Sequence, residues 1–287
     1  MAKVQGFLNY VRRNPALGFG FLILLALLLF TTVGRLFIDP KHVYPLSVPV
    51  YLPPSSEHVF GTDAQGRDLL ASMVEGTRTT LAIGMIAGLI GLGVGTLLGF
   101  ISGYYGGPLD SVIKFSVDVL MTIPSFLLLV MIASTVPEPE DMTILQMALI
   151  LSIVSWVQPT RAIRAQVLSM RERAFVMMSK LSGMSGIEII IKEMMPNLLP
   201  YLAISLAGAV NGGVLGSLGL QTLGIGNLRE PSLGMTLYWM RRYGALMKGY
   251  WWWIVEPVIA IALIFIAFLM ISIGLDEVAN PRVRRKV

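Results

Sequence analysis

Apolar runs interrupted by short charged segments dominate the chain. The first run covers about Leu17 to Ile38 and follows Lys3, Arg12, Arg13 and Pro15. It is longer than a signal-peptide core and has no A-x-A site, so an uncleaved span is expected, with the N-terminus in the cytoplasm. Further spans are expected at about Thr79–Tyr104, Ser111–Ser134, Thr143–Val157, Leu198–Leu223 and Trp251–Ile273. The third holds Asp118 and Pro124, and a kink is expected near the proline. Pro159 should end the fourth, with Arg161 and Arg164 marking a charged boundary. In the second, Gly91, Gly95, Gly99 and Gly103 are four apart, with Gly84 and Gly88 on a neighbouring face. Small residues at that spacing let helices approach closely.

The segments between spans carry the polar residues. From Asp39 onward, Pro40, Pro45, Pro49, Pro53 and Pro54 block regular structure. Leu69, Leu70, Met73 and Val74 then follow Asp68 as an apolar stripe, which predicts a short interfacial helix. The stretch from Arg171 to Asn197 is different. It has seven charged residues, too many for hydrocarbon. Yet Phe175, Val176, Met178, Leu181, Ile187, Ile190, Ile191 and Met194 recur at helical spacing on both sides of Gly183. Two short amphipathic helices hinged at the glycine fit that pattern. They could form a surface cover or a docking knob for another protein, and the pattern alone leaves both open.

Composition agrees with a polytopic membrane protein. Of 287 residues, 55% are hydrophobic and 14% charged, against roughly 25% charged in soluble domains, and mean hydropathy is +0.72. The absence of cysteine excludes disulfides and thiolate metal sites, and two histidines argue against a histidine-based one. Six spans place both termini on one side. Assigning residues 1–16, 104–114, 158–197 and the tail to the cytoplasm puts 14 of the 22 Lys and Arg there with 6 of the 17 acids. That bias follows the positive-inside rule, with Arg241, Arg242 and Lys248 as a mild misfit. The net charge of +5 thus reports orientation, not nucleic-acid binding.

Catalytic chemistry is missing from the pattern. No P-loop, nucleophile elbow or metalloprotease motif is present, and no span carries a series of charges. The chain either is passive or is driven by a partner, and the second case gives residues 171–197 something to contact.

The loop resembles the coupling segment of binding-protein-dependent ABC importer permeases. Gly183 matches that segment's glycine, and Met195-Pro196-Asn197 its Leu-Pro-Asn ending, while Met177-Met178-Ser179 replaces Glu-Ala-Ala. Glu172 is a candidate to compensate for the missing acid. A second motif, Gly61-Thr62-Asp63 with Gly66-Arg67-Asp68, Gly76 and Arg78, resembles the segment before the second span of dipeptide/oligopeptide permeases of the C-type. Tyr104 to Asp110, Leu218 to Gly226, Pro231 to Tyr238 and the tail from Gly274 are also similar to that family.

The resemblance implies an all-α membrane protein with the type I importer permease fold: six transmembrane helices and a cytoplasmic two-helix coupling loop. Residues 1–78 would form the first span, the external proline-rich segment and an interfacial helix. Residues 79–275 would form a five-span core carrying the loop, and 276–287 a basic cytoplasmic tail. The implied partners are a second homologous permease, two P-loop ATPase subunits, an external solute-binding protein and membrane lipid. ATP and Mg would bind the ATPases, with no cofactor, catalytic residue or metal in this chain. Phe175, Met177, Met178, Ser179, Gly183, Ile187 and Pro196 are the expected ATPase-coupling residues. Ser152, Ser155, Asn211, Ser217 and Gln221 are the expected pathway residues, although each would also serve as an interhelical hydrogen-bond partner. Segments 60–78 and 224–250 are candidate docking surfaces for the binding protein. The cargo stays open among oligopeptides, oligosaccharides and nickel, with the Trp251–Trp253 entry and the Leu181–Ser185 loop more similar to oligosaccharide carriers. A passive channel or self-driven carrier is the alternative, and it would lack a co-purifying ATPase.

Overall fold

The structure is a computed structural model that describes residues 14–279. The N-terminal cations and the basic tail beyond residue 279 lie outside the described residues. Helix α1 spans Pro15–Val33, α2 Leu69–Tyr105, α3 Gly107–Thr122, α4 Ser125–Ala133 and α5 Ile144–Ser155. They are followed by α6 Val157–Arg171, α7 Ala174–Leu181, α8 Gly186–Thr222, α9 Leu233–Arg242 and α10 Trp251–Ala279. Among the described residues the only pairing of strand type is an isolated bridge between Thr62 and Asp68.

Helix α2 is the spine. The interfacial helix expected before residue 79 is not a separate element, because Asp68 caps one continuous helix of 37 residues. At 1.5 Å per residue that is about 55 Å, longer than the ~30 Å hydrocarbon core. The apolar stripe of Leu69, Met73 and Val74 is buried against protein, not against lipid headgroups.

Glycines decide what packs on this spine. Gly91, Gly95, Gly99 and Gly103 face Ser155, Pro159, Ile163 and Val167 in turn, so α2 and the α5–α6 segment run parallel. Gly84 and Gly88 face Val214 and Val210, so α8 runs antiparallel on the neighbouring face. A Cβ on Gly95 would sit 2.6 Å from Pro159 Cβ and 2.9 Å from the Trp156 carbonyl. The helices meet backbone to backbone, as the four-residue spacing predicts. Helix α1 packs on α10 in the same way, with Gly20 against Ile271 and Gly274 against Leu17.

Two proline sites differ from expectation. Near Pro124 the third apolar segment breaks: α3 and α4 meet at 88°. Ile123 is extended, the conformation that a following proline favours. At Pro159 the helix was expected to end. The break instead falls at Trp156, and α6 continues to Arg171 with Pro159 in its first turn, where a missing N–H costs nothing. Arg161 and Arg164 therefore sit on a helix.

Among the described residues four helices are long and apolar enough to cross a membrane, or five if α3 and α4 form one span. Helix α5 is apolar but only 12 residues long. Residues 104–107 meet Arg171 and Gly186 at one end of the bundle, while Gly34 meets Val74 and Gly61 meets Trp252 at the other.

The glycine face makes a paired prediction. Gly95→Leu should lower the thermal unfolding midpoint, by the equivalent of about 1–3 kcal/mol for overpacking. Gly93→Leu, where a Cβ meets nothing within 4 Å, should leave the midpoint unchanged or raise it.

Candidate functional site

At the end of the bundle where α2 finishes, residues 171–186 form a helix and a tight turn. Arg173 begins α7, and Gly183 turns the chain with φ +81°, the left-handed region that glycine enters freely. Ser185 then opens α8 with a capping box: its hydroxyl accepts from Glu188 N–H at 3.3 Å, and the Glu188 carboxylate accepts from Ser185 N–H at 3.0 Å. The second amphipathic helix expected here is thus not separate. It is the first part of α8, which runs from Gly186 to Thr222. Residues 189–194 have π geometry just before Pro196.

Two sets of side chains divide the turn. Val176, Ile189 and Met194 are buried with Phe100, Ile163 and Val167, which seats the turn on its own bundle. Arg171 Nη1 donates to the Tyr104 carbonyl at 3.1 Å, and the Lys180 ammonium lies 5.4 Å from the Tyr104 ring centroid. Beside this seat Arg164 grips Asp110 with two bonds of 2.6 and 2.7 Å, and Ser102 donates to the same carboxylate. The other set faces outward. Met177, Met178, Leu181 and Ile187 are 54, 64, 84 and 63% exposed.

Of the residues expected to couple, Met177, Met178, Gly183, Ile187 and Pro196 are on this outer surface. Phe175 is half-buried against the bundle, and the Ser179 hydroxyl donates to the Phe175 carbonyl at 3.0 Å. Glu172 is exposed, 3.6 Å from Arg171. Leu181 and Ile191 belong to the exposed set; the helical pattern included them, but they were not among the expected coupling residues. Leu181 follows Met177 by four residues, so helical spacing already placed them on one face.

A groove of about 390 Å³ opens between α4, α5, α6 and α8. Ser155 lines it with Gln158, Ser205, Gly208 and Gly212. Of the expected pathway residues only Ser155 is in the groove, and its hydroxyl also donates to the Ala87 carbonyl at 3.3 Å. The Ser152 hydroxyl donates to Leu149 within its own helix at 2.7 Å. Asn211 has a buried amide oxygen without a hydrogen-bond partner. Ser217 and Gln221 are buried in helix packing: Ser217 donates to Val214, and Gln221 accepts from Ser232 at 3.0 Å. Gly208 and Gly212 could not be singled out by residue type, because nothing local distinguishes a groove glycine from a packing glycine.

At the opposite end, residues 61–68 form a buried knot. Gly61 and Gly66 take positive φ. The Thr62 hydroxyl donates to the Pro49 carbonyl at 2.7 Å, and Asp63 accepts from Gln65 and Arg67 N–H at 2.8 and 2.9 Å. Burial pushes the Asp63 carboxyl above its ordinary range, although these bonds and the Arg67 charge oppose the shift. Arg67 is buried with its guanidinium 6.0 Å from the Trp239 ring centroid. Asp68 accepts from Ala71 N–H at 2.9 Å as the α2 cap and pairs with His58 at 2.8 Å. Thr62, Asp63, Arg67 and Asp68 are all buried, so the motif fastens the spine to α9 and offers no docking face of its own. Of the two segments expected to dock a binding protein, the exposed apolar side chains at this end include Leu246, Met247 and Trp251 in and beside the 224–250 connector.

Comparison with known proteins places this geometry in context. The family described as the binding-protein-dependent transport system inner membrane component matches residues 95–285. The dipeptide transport system permease protein DppC of Bacillus subtilis is 30% identical over 286 residues, which cover 99% of this chain and 88% of the relative. The oligopeptide transport system permease protein OppC of Lactococcus lactis subsp. cremoris is 31% identical over 265 residues, 91% of this chain and 88% of the relative. OppC of Mycobacterium bovis is 30% identical over 232 residues, 81% of this chain and 78% of the relative.

The knot yields a stability test. Asp68→Ala removes both the helix cap and the His58 partner, and should cost about 1–3 kcal/mol, read as a lower thermal midpoint. Asp68→Asn keeps a capping oxygen and should lose less.

Proposed function

The chain belongs to the binding-protein-dependent transport system inner membrane component family, and from that premise we propose that its exposed turn at residues 174–187 is where an ATPase partner grips it. It is a multi-pass permease subunit of an ABC importer, not itself an enzyme, and such permeases work with ATPase and substrate-binding partners. The observation that carries the coupling reading is the division of the turn. One apolar set anchors it to the bundle and a second, of Met177, Met178, Leu181 and Ile187, is left uncovered by the described residues. Contiguous apolar surface outside the hydrocarbon marks a protein contact. A helix laid in a groove of the partner uses such a stripe as its anchor.

Six passes follow if α3–α4 and α5–α6 each make one. Helix directions then alternate, the termini and the 171–186 turn share the cytoplasmic side, and the cation excess agrees. The remaining partners are a second homologous permease, two P-loop ATPases that bind ATP and Mg, and an external solute-binding protein. Cargo crosses by alternating access through the groove beside Ser155, Gly208 and Gly212, closed on its other side by the second permease.

The cargo proposed is a short peptide. The similar relatives are named for dipeptide and oligopeptide transport. The oligosaccharide option rested partly on Trp251–Trp253, and these do not line the groove: Trp253 is fully buried, Trp252 packs beside Gly61, and Trp251 is exposed at the bundle's end.

Two experiments test this. In the purified assembly reconstituted with its binding protein, Leu181→Asp and Met178→Asp should each cut uptake and cargo-stimulated ATP hydrolysis by about tenfold, the loss of one interface anchor, while the chain still inserts. Unchanged uptake and hydrolysis, or purification of the chain without any ATPase, would overturn the coupling reading. Separately, Gly212→Leu fills the groove at a point where a Cβ meets nothing within 4 Å. It should reduce uptake while the ATPases still co-purify, and normal uptake would remove the groove from the pathway.

A further inference from the structure

Near the start of α2, that helix, α1, α10 and residues 54–60 enclose a crevice of about 640 Å³. That is the size of a small-ligand pocket. Its lining is aliphatic and aromatic apart from two side chains, Thr77 and Glu256. Thr77 is fully buried, and its hydroxyl has no hydrogen-bond partner. Glu256 Oε2 is buried and likewise unpartnered.

Among the described residues no side chain donates to either atom in this structure. Asp68 and His58 satisfy each other, and Arg35 and Arg78 both face Glu75. A buried carboxyl oxygen and a buried hydroxyl left unpaired are costly. An incoming group that donates to both would remove that cost.

The mouth of the crevice says where such a group comes from. Leu22 and Ile259 on its rim are exposed, and they lie on α1 and α10, both long and apolar enough to cross a membrane. The crevice therefore opens onto hydrocarbon. Exposed Trp251, five residues before Glu256 or about 7.5 Å along the helix axis, marks the headgroup level.

We propose that this crevice is a binding site for a phospholipid with a primary ammonium headgroup. One acyl chain lies along Leu22, Leu27, Ile259 and Leu263, and the ammonium donates to Glu256 and Thr77. An ammonium carries three N–H donors and a charge opposite to the carboxylate. A quaternary choline headgroup carries no donor, so ethanolamine lipids bind in preference to choline lipids. The site shares no lining residue with the groove, so its occupant is not in the cargo pathway proposed above.

The test uses the chain purified in mild detergent with whatever subunits accompany it, exchanged against an equimolar mixture of dioleoyl phosphatidylethanolamine and dioleoyl phosphatidylcholine. Retained lipid is quantified by mass spectrometry. The wild type should retain the ethanolamine lipid in excess. Glu256→Gln and Thr77→Val should each reduce that excess, the former by about tenfold, the equivalent of one charge-assisted hydrogen bond. Ala26→Trp, on the crevice wall, should exclude both lipids. Glu256→Gln replaces a buried, unpartnered carboxyl by a neutral amide of the same shape, so its thermal midpoint without lipid should be no lower than wild type, separating lost binding from misfolding. Equal retention of the two lipids by the wild type would overturn the proposal. So would an ethanolamine excess unchanged in Glu256→Gln and Ala26→Trp, the result expected if a helix of another subunit fills the crevice.

Discussion

Everything in this molecule depends on how closely other helices approach α2. In hydrocarbon there is no hydrophobic drive between helices, because lipid tails are as apolar as leucine. Association must come from packing, and packing needs short distances. The glycines at 91, 95, 99 and 103 let the α5–α6 segment lie against the α2 backbone, and those at 84 and 88 do the same for α8. Side chains there would push both helices away from the spine. The groove beside Ser155 exists only because α5, α6 and α8 are held at that spacing.

The glycine spacing and the Gly183 hinge were legible because each follows from a local rule: a period of four for contact, a positive φ for a tight turn. The boundary at residue 79 was not legible. A span was expected to start at Thr79, yet the helix is already buried there, and Thr80 accepts a hydrogen bond from Leu233 N–H at 3.1 Å across the bundle. A tertiary partner turns an apparent interface into buried helix. The pathway residues show the same limit. Ser217 and Gln221 are as polar as Ser155, and only the register of α8 against α9 decides that Gln221 meets Ser232. Pro159 misleads for another reason: a proline ends a helix from within, but in a first turn it begins one.

The Met177-Met178-Ser179 triplet changes the character of the turn more than its shape. Where the family has an acid, this chain presents two exposed thioethers beside Leu181. Thioether side chains are flexible and polarizable and adapt to irregular apolar surfaces. Glu172 lies before the first turn of α7 and next to Arg171, so its charge is partly answered within the chain. If an ATPase grips this turn, the contact is dominated by burial of apolar surface, and added salt should weaken it little compared with a contact resting on an ion pair.

Helix α8 connects the exposed turn to the groove. Its first turn carries Ile187 on the exposed face, its middle lines the groove through Gly208 and Gly212, and its end holds Gln221 against Ser232. A uniform rod would transmit a push on the turn directly to the groove. This rod is not uniform. Residues 189–194 have π geometry, and Pro196 and Pro200 each remove a backbone donor. Compliance is thus concentrated between the exposed turn and the part of α8 that lines the groove, which the glycine contacts at 84 and 88 pin to the spine. Bending there, with the upper half held fixed, would tilt the turn without unseating α8 from the spine. If the groove opens as proposed, the α2–α8 contact has to move as a body, which places the energetic cost on the glycine face and not on the exposed turn.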